Sequence, residues 1–385
     1  MREAQMSRNY VNFAAIGDVA TAADNSEAVF DNVREVLRGA DLRFAQCERV
    51  YSERGSFQQQ GLAPHVRQHP RSANAFKSVP FDVVGTGSNH TGDWGPEAAE
   101  DTIDAFHRLG IATIGSGRNI HEARKEIVFE RNGVTVTFLG YVSVMLPQYW
   151  ATETRAGSTP MRAHTFYEPY EYQPGSPPRI VTIPHAKDLE LLLEDIARAK
   201  RAADVVVASF HWGVHYTARP IADYQQTVAH AAIDAGASVI LGHHPHILQP
   251  IELYKGAVIF YSLGNFAMIR KAGSPNFCCP GGEYEFNHVY TKHMDPGQSF
   301  AYNRHKDEGR IVFIDLDKSG VRKVSVLPTV VNTANSKAEI VRPGDPRFEQ
   351  YRKYMEWVSN DTQGGITQVG VEGDRYLLYR RADLV

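Results

Sequence analysis

The stretch from Asp204 to Phe266 decides the fold, because three motifs there follow or adjoin short apolar runs. They are Asp204–Gly213 (DVVVASFHWG), Ser238–His246 (SVILGHHPH) and Tyr261–Phe266 (YSLGNF). Apolar runs rich in valine and isoleucine and bounded by glycine predict buried strands. Four histidines therefore follow two neighbouring strands. A strand end is a rigid place for a metal or acid/base site.

The composition excludes several classes of protein. The 385 residues are 43% hydrophobic, so the chain can bury a large core, and the net charge of −3 gives no basis for binding nucleic acid or an anionic membrane. Three cysteines cannot form a disulfide framework, and no stretch approaches the roughly 18 apolar residues of a membrane span. The first residues also lack the apolar core of a signal peptide. These features predict a cytoplasmic protein without a nucleic-acid or membrane partner.

Predicted strands alternate with predicted helices along the chain, which indicates an α/β architecture. The predicted strands before the central stretch are Val11–Ile16, Asp41–Cys47, Phe81–Gly87, Ile111–Gly115 and Val134–Tyr141. Amphipathic spacing predicts helices over Ser26–Arg38, Pro96–Leu109 and Leu189–Ala202. After the central stretch, residues 309–317 and 321–331 predict a hairpin.

Acidic, amide and imidazole side chains follow three of these strands. Asp18 and Glu48 come after the first two, and Asn89, His90 and Asp93 share the turn after the third. The carboxyl ends of parallel strands meet at one edge of a sheet, so these groups are expected to converge. His90, positioned by Asp93, suits proton transfer.

Two long segments interrupt the pattern, at residues 146–187 and 268–308. Both are rich in aromatic and polar residues, and we expect them to be loops that form substrate walls. The main domain is predicted over residues 11–331. Residues 332–385 are predicted as a C-terminal helix and strand packed on it.

The candidate metal ligands are carboxylates, an amide and imidazoles. They are Asp18, Glu48, Asn89, His211 and His244. This mixture suits a divalent cation, with calcium or manganese favoured over zinc, since no cysteine joins the set. The glycines near residue 115 lack the dinucleotide-binding spacing, and no organic cofactor is expected.

Taken in order, these motifs resemble the CapA (poly-γ-glutamate capsule biosynthesis) family, a branch of the calcineurin-like metallophosphatase superfamily. The motifs that carry the resemblance are Gly17-Asp18, Glu48, Asn89-His90, Asp93-Trp94-Gly95, His211-Trp212-Gly213, Gly242–Pro250 and Tyr261–Phe266. The resemblance implies a four-layer α/β/β/α sandwich with its site where the loops of the two sheets meet. Two positions differ from the usual pattern. Ala20 stands where the superfamily has the histidine of Asp-x-His, and His215 stands where the family has glutamate.

The chain is also similar to the soluble MslH-type epimerases of lasso-peptide pathways, which invert the Cα of a C-terminal residue in a ribosomal precursor peptide. This resemblance predicts a metal-dependent isomerase with a peptide substrate. One catalytic pair would be His90 with Asp93, and the second would be His246 or His244 with Asp18; His293 near Asp295 and the Cys278 thiol are further candidates. The expected substrate-binding residues are Trp94, Trp212, His215 and Asn265. The alternatives are a metal-dependent hydrolase or transferase of phosphoester or amide bonds, and a degenerate module that binds a peptide or polymer.

Overall fold

The computed structural model describes residues 8–20, 26–58, 67–169, 171–268, 305–332 and 334–382. Two sheets form the centre of this part of the chain. The larger sheet contains β1 (Val11–Ala20), β2 (Leu42–Cys47), β3 (Val83–Gly85), β4 (Ala112–Ile114), β15 (Asn265–Met268), β16 (Glu308–Asp317), β17 (Gly320–Val331), β18 (Ala338–Ile340), β19 (Gly370–Glu372) and β20 (Arg375–Arg380). The smaller sheet contains β6 (Ile127–Arg131), β7 (Val134–Val142), β11 (Val205–His211), β12 (Val239–His243), β13 (Ile251–Tyr254) and β14 (Ala257–Phe260).

Both sheets are mixed, with parallel strands at their centres. The order in the larger sheet is β19-β20-β17-β16-β1-β2-β3-β4, with β15 beside β1 and β18 beside β17. The order in the smaller sheet is β13-β14-β12-β11-β7-β6. Strands β1 to β4 are parallel to one another, as are β7, β11, β12 and β14. Parallel neighbours need crossover connections, so the carboxyl ends of these strands share one edge of each sheet.

Helices supply most of the crossovers between parallel strands. The α-helices of the described residues are α1 (Arg34–Arg38), α2 (Ala75–Ser78), α3 (Pro96–Arg108), α4 (Ile120–Ala123), α5 (Ala186–Ala202), α6 (Asp223–Asp234) and α7 (Pro346–Ser359). Short 3-10 helices lie at Ser26–Phe30, Pro70–Asn74 and Pro147–Tyr149. Helix α3 starts with Pro96, whose missing N–H is not needed in a first turn, and stops just before Gly110 at φ 74°. Within the described ranges, no helix combines the length and apolarity needed to cross a membrane.

Three apolar cores establish the layers. Alternate residues of both sheets, such as Phe13 of β1 and Val207 of β11, meet in a core between the sheets. The outer face of the larger sheet packs on residues of α1 to α3, such as Phe106. The outer face of the smaller sheet packs on α5 and α6, for example through Ile196 and Val228. Both faces of both sheets are covered, which confirms the predicted four-layer α/β/β/α sandwich.

The C-terminal residues extend this framework. Helix α7 adds Phe348, Tyr351, Met355 and Val358 to the core between the sheets. Strands β18, β19 and β20 lengthen the larger sheet on the β17 side.

The first of the two long segments is not the continuous loop that we expected. It contains the hairpin β9 (Ala163–Pro169) and β10 (Pro178–Pro184), in which Phe166 faces Val181 and Tyr167 faces Ile180. Cross-strand pairs of aromatic and β-branched side chains stabilise such a ribbon. Short strands β5 (Ser116–Gly117) and β8 (Gly157–Ser158) pair near its start. Most of the second segment, residues 269–304 with Cys278, Cys279, His293 and Asp295, lies outside the described residues.

Candidate metal centre

Asp18 reaches the space between the sheets because a β-bulge interrupts β1 at Gly17. Ile16 and Asp18 pair with consecutive residues of β2, so Gly17 is the extra residue. The bulge reverses the alternation of side chains and turns Asp18 toward the inter-sheet side. Its carboxylate is fully buried, and Oδ2 accepts a hydrogen bond from the backbone N–H of His244 at 3.2 Å.

Glu48, which follows β2, lies at the centre of the site. Its Oε1 is 3.3 Å from His211 Nε2, and its Oε2 is 3.4 Å from His246 Nε2. The carboxylate is buried, with 2% of the side chain exposed. A single carboxylate from the larger sheet therefore faces imidazoles that follow two strands of the smaller sheet.

The turn after β3 brings three more of the predicted residues to this edge. Asn89 Oδ1 lies 2.8 Å from His211 Nε2. His90 Nδ1 lies 2.7 Å from Asp93 Oδ2, and the Asp93 carboxylate is buried while the His90 ring keeps 16% of its surface exposed. The imidazole is therefore held by a buried carboxylate and remains accessible from solvent.

The histidines after β12 occupy unusual backbone conformations. His244 has φ 98° and His246 has φ 56°, values that residues with a Cβ rarely adopt. Such conformations persist where the surrounding structure enforces them, and they cluster at functional sites. The centroid of the His215 ring is 3.9 Å from that of His244 and 5.4 Å from that of His246, so His215 joins the same cluster.

Two groups of candidate metal ligands share Glu48. The first, which we call the Asp18 group, comprises Asp18, Glu48 and His246; the second, the His211 group, comprises Glu48, His211 and His244. Within each group the ligand atoms lie within 4.8 Å of one another. One carboxylate common to two ligand sets is an arrangement that holds a pair of divalent cations close together.

Unpaired buried atoms show that these residues fit a cation. Asp18 Oδ1, Glu48 Oε1 and His244 Nδ1 are buried, and among the described residues none of them has a hydrogen-bond partner. Buried polar atoms are normally paired, and a concentration of unpaired oxygen and nitrogen acceptors is relieved by metal coordination. The donor set therefore suits a divalent cation.

The electrostatics of the site support the same fit. Burial lowers the pKa of His211 and of His244 well below the usual histidine range, and the neighbouring imidazoles add to the effect. Burial, with repulsion from other imidazoles, likewise lowers the pKa of His215 to about 3. These rings are therefore neutral, the form that binds metals. Burial and the Asp18 charge raise the pKa of Glu48, a penalty that a bound cation would remove.

Two of the expected substrate-binding residues are buried and present no surface to a substrate. Trp212 is fully buried in the outer core of the smaller sheet, where its ring stacks on Phe210 and its indole N–H donates to the Tyr261 carbonyl. It is a packing residue, because its side chain points away from the inter-sheet cleft. Asn265 is also buried, and its Oδ1 lies 2.8 Å from His246 Nδ1. It orients His246 rather than offering a free surface to a substrate.

The remaining predicted substrate residue lies beside the site. Trp94 follows the His90–Asp93 turn and is half-buried, with the Arg67 guanidinium 4.2 Å from its ring centroid and Phe57 at 5.7 Å. Residues 53–58 lie across this turn, since the Gln58 N–H donates to the Asp93 carbonyl.

The sequence analysis assigned no role to two residues of the site, although His243 belongs to the four-histidine motif. His243 continues the inward-facing series of β12, and its Nδ1 is 3.3 Å from Asp18 Oδ1. Arg49 directly follows Glu48, is half-buried, and makes no side-chain hydrogen bond or ion pair within the described part of the chain. Its positive charge acts on both Glu48 and His246. The alternation of inward-facing residues along β12 could have indicated His243. The position of Arg49 directly after Glu48 could have indicated Arg49.

Comparison with known proteins identifies a family. The sequence model of the family described as bacterial capsule synthesis protein PGA_cap matches residues 12–269. The chain is 30% identical over 265 residues to the PGA biosynthesis protein CapA of Bacillus subtilis (strain 168), covering 68% of this chain and 63% of that protein. It is 30% identical over 247 residues to the capsule biosynthesis protein CapA of Bacillus anthracis, covering 63% and 54%. The chain thus spans less than two thirds of the length of these relatives.

Among solved structures, the calcineurin-like phosphoesterase YfkN from Bacillus subtilis aligns with 91% of this chain and 99% of its own. The identity is 13% and the TM-score is 0.37. A likeness at that level adds nothing to the layers and strand order described above.

Proposed function

Because the chain belongs to the bacterial capsule synthesis (PGA_cap) family, we propose that it is a metal-dependent hydrolase or transferase acting at amide bonds of a glutamate-rich peptide or polymer. The observation that carries this proposal is the sharing of Glu48 by two ligand groups. Paired cation sites of this kind serve displacement reactions at acyl and phosphoryl centres. The names of the relatives supply the expected substrate class.

The ligands would be Asp18, Glu48, Asn89, His211, His244 and His246. Divalent cations held there would polarise the scissile carbonyl and lower the pKa of the attacking water. Each group contains imidazole nitrogen as well as carboxylate oxygen, which favours manganese, iron or zinc over calcium. This choice revises the preference for calcium that the residue types alone suggested.

His90 would act as the acid and base that transfers a proton during the reaction. With Asp93 accepting the Nδ1–H, Nε2 is the nitrogen that exchanges a proton with substrate. In amide hydrolysis, His90 Nε2 would take a proton from the attacking water as the water oxygen adds to the acyl carbon; the C–N bond then breaks, and the leaving nitrogen takes that proton from His90. His90 is partly exposed and adjacent to Asn89, so it can meet a substrate at the Glu48 centre.

Arg49 would bind a substrate carboxylate. A half-buried guanidinium without a carboxylate partner among the described residues, next to the metal ligands, is suited to an anionic group. Glutamyl polymers carry one free carboxylate per residue. This match supports a glutamate-rich substrate.

Cα epimerisation of a peptide is the second candidate, and one observation favours it. Two imidazole–carboxylate pairs reach the site from different sheets: His90 with Asp93 at 2.7 Å, and His243 and His246 with Asp18 at 3.3 and 3.6 Å. A two-base exchange needs one such pair on each face of the Cα carbon. If metal ligation occupies His246, His243 remains the only imidazole in the second pair.

The deciding experiment incubates the metal-loaded protein with α- and γ-linked glutamyl peptides in heavy water. Mass spectrometry and chiral analysis then follow the products. Formation of shortened peptides, or of peptides joined to a new acceptor, supports the hydrolase or transferase if a chelator prevents it. A one-dalton gain at unchanged length, with inversion, supports the epimerase. Cleavage of phosphoesters alone, or peptide binding without any product, would contradict both assignments.

A further inference from the structure

A buried arginine lies outside the metal centre, in the core between the larger sheet and helix α7. Arg310 is on β16, where the alternate residues Val312 and Ile314 face the inter-sheet core, and its side chain is fully buried. The guanidinium carbon is 5.8 Å from the ring centroid of Tyr351 on α7.

The donors around Arg310 lack acceptors. Its Nε, Nη1 and Nη2 atoms have no hydrogen-bond partner among the described residues, and the same holds for the buried Tyr351 hydroxyl. The polar groups nearby are already engaged: Glu308 Oε2 lies 2.8 Å from His305 Nδ1, and the Tyr354 hydroxyl donates to the Leu248 carbonyl at 2.7 Å.

A buried guanidinium cannot be left in this state. It offers five N–H donors and keeps its charge in proteins, so burial without acceptors carries a large desolvation cost. Burial opposes the charged form here, and the partial compensation by neighbouring groups comes through space rather than through hydrogen bonds. An acceptor that also carries negative charge would pair the N–H donors and offset the cost of burying the positive charge.

We propose that Arg310 and Tyr351 bind a small anion between β16 and α7. Its class is a halide or a small planar oxyanion such as formate or nitrate, because the enclosing side chains leave the guanidinium no exposed surface and its flat fork matches planar acceptors. The groups that act on the Arg310 charge are Tyr351, Tyr354 and Glu308, and none of them is a proposed metal ligand. The site is therefore distinct from the proposed catalytic centre and does not depend on the proposed reaction.

The bound anion would fix α7 against the larger sheet. It would also steady the strand segment beside the metal centre, since Gly309 bridges to Gly264, next to Asn265. Asn265 in turn contacts His246. The anion would thus stabilise the position of His246 indirectly, without contact with a substrate.

The test measures thermal unfolding of the full metal-loaded chain at constant ionic strength. A bulky sulfonate salt is replaced stepwise by chloride, bromide, nitrate or formate, each in its own titration. Halides and planar oxyanions are thereby tested separately. The wild type should show a saturable rise in midpoint, and Arg310→Met should show none. Tyr351→Phe, which removes one oxygen and preserves packing, should raise the half-saturating concentration by about tenfold, the expected effect of one hydrogen bond to a charged group.

Arg347→Met is the matched control, because Arg347 lies in the first turn of the same helix and is half exposed to solvent. It should keep the anion response of the wild type. A crystal grown in bromide should show anomalous density within hydrogen-bond distance of the Arg310 guanidinium. A midpoint independent of the anion, a response that survives both substitutions at the site, or a water alone at that position would overturn the proposal.

Discussion

The two ligand groups that share Glu48 differ in how completely they are built. The His211 group has two imidazoles, and Asn89 Oδ1 lies close to one of them. The Asp18 group has one imidazole, and Ala20 stands where an Asp-x-His motif would add a second. More neutral nitrogen donors mean tighter binding of a borderline cation. We therefore expect the His211 group to fill first and the Asp18 group, beside Arg49, to fill later and meet the substrate anion.

The largest effect is expected for Glu48→Gln, which weakens both groups together. Metal content, measured by elemental analysis after gel filtration, should fall from two ions per chain to one or none. Turnover should fall on the order of 10³-fold, because transition-state electrostatics depend on the cations. Glu53→Gln is the control, since 71% of the Glu53 side chain is exposed. Full metal content in Glu48→Gln would show that Glu48 is not shared between two ions.

The next effect separates the groups. His246→Ala should abolish the weaker of two phases in a calorimetric metal titration and leave the tighter phase. His211→Ala should abolish the tighter phase, and the wild-type phases should differ by roughly tenfold or more in affinity. The reverse assignment, or loss of both phases in either variant, would contradict the proposed asymmetry.

A smaller effect is expected for Asn265→Ala. Asn265 orients the His246 ring without reaching the cation, and loss of such an outer partner weakens metal binding by about 10- to 100-fold. The change should appear only in the weaker phase of the titration. The exposed Asn360→Ala gives the matched control. An equal weakening of both phases would mean that Asn265 supports the whole fold instead.

The smallest effect is expected at Arg49. Arg49→Gln should raise KM for a glutamyl substrate by about tenfold while kcat and metal content change little, because a charged hydrogen bond to a distant carboxylate is lost. Arg49→Lys should recover part of the affinity. Arg38→Gln, on an exposed surface, is the control. A fall in kcat at constant KM would place Arg49 at the reacting atoms instead.

Much of the fold followed from the sequence because the strands are buried on both faces. The runs at Val205–His211 and Val239–His243 each begin with three consecutive aliphatic residues, and helix α6 (Asp223–Asp234) lies between them in the chain. Such patterns predict covered parallel strands without knowledge of contacts. The hairpin within residues 146–187 was missed because prolines and polar residues hide its alternation, and most of its side chains are exposed.

The sequence predicted which ligands lie at the ends of strands. It did not predict which face of the sheet each of those side chains points to. Asp18 depends on a bulge, which a strand pattern does not reveal, since strict alternation would turn that residue to the helical side. His211 is the last residue of β11 and Trp212 is the next residue, so His211 faces the cleft and Trp212 faces the outer core. The motif alone could not distinguish a tryptophan that packs from one that binds substrate.

The division of the ligands between the sheets has a mechanical consequence. Asp18, Glu48 and Asn89 come from the larger sheet, and His211, His244 and His246 come from the smaller one. A cation held by both would be a further cross-link between two layers that otherwise meet through an apolar core and polar contacts such as the Arg131–Asp82 ion pair at 3.2 Å. At 100 times its dissociation constant, such an ion stabilises the folded chain by about 2.7 kcal/mol. Chelation should therefore loosen the open edge of the sandwich, and amide exchange should quicken first at the carboxyl ends of β1, β2, β11 and β12.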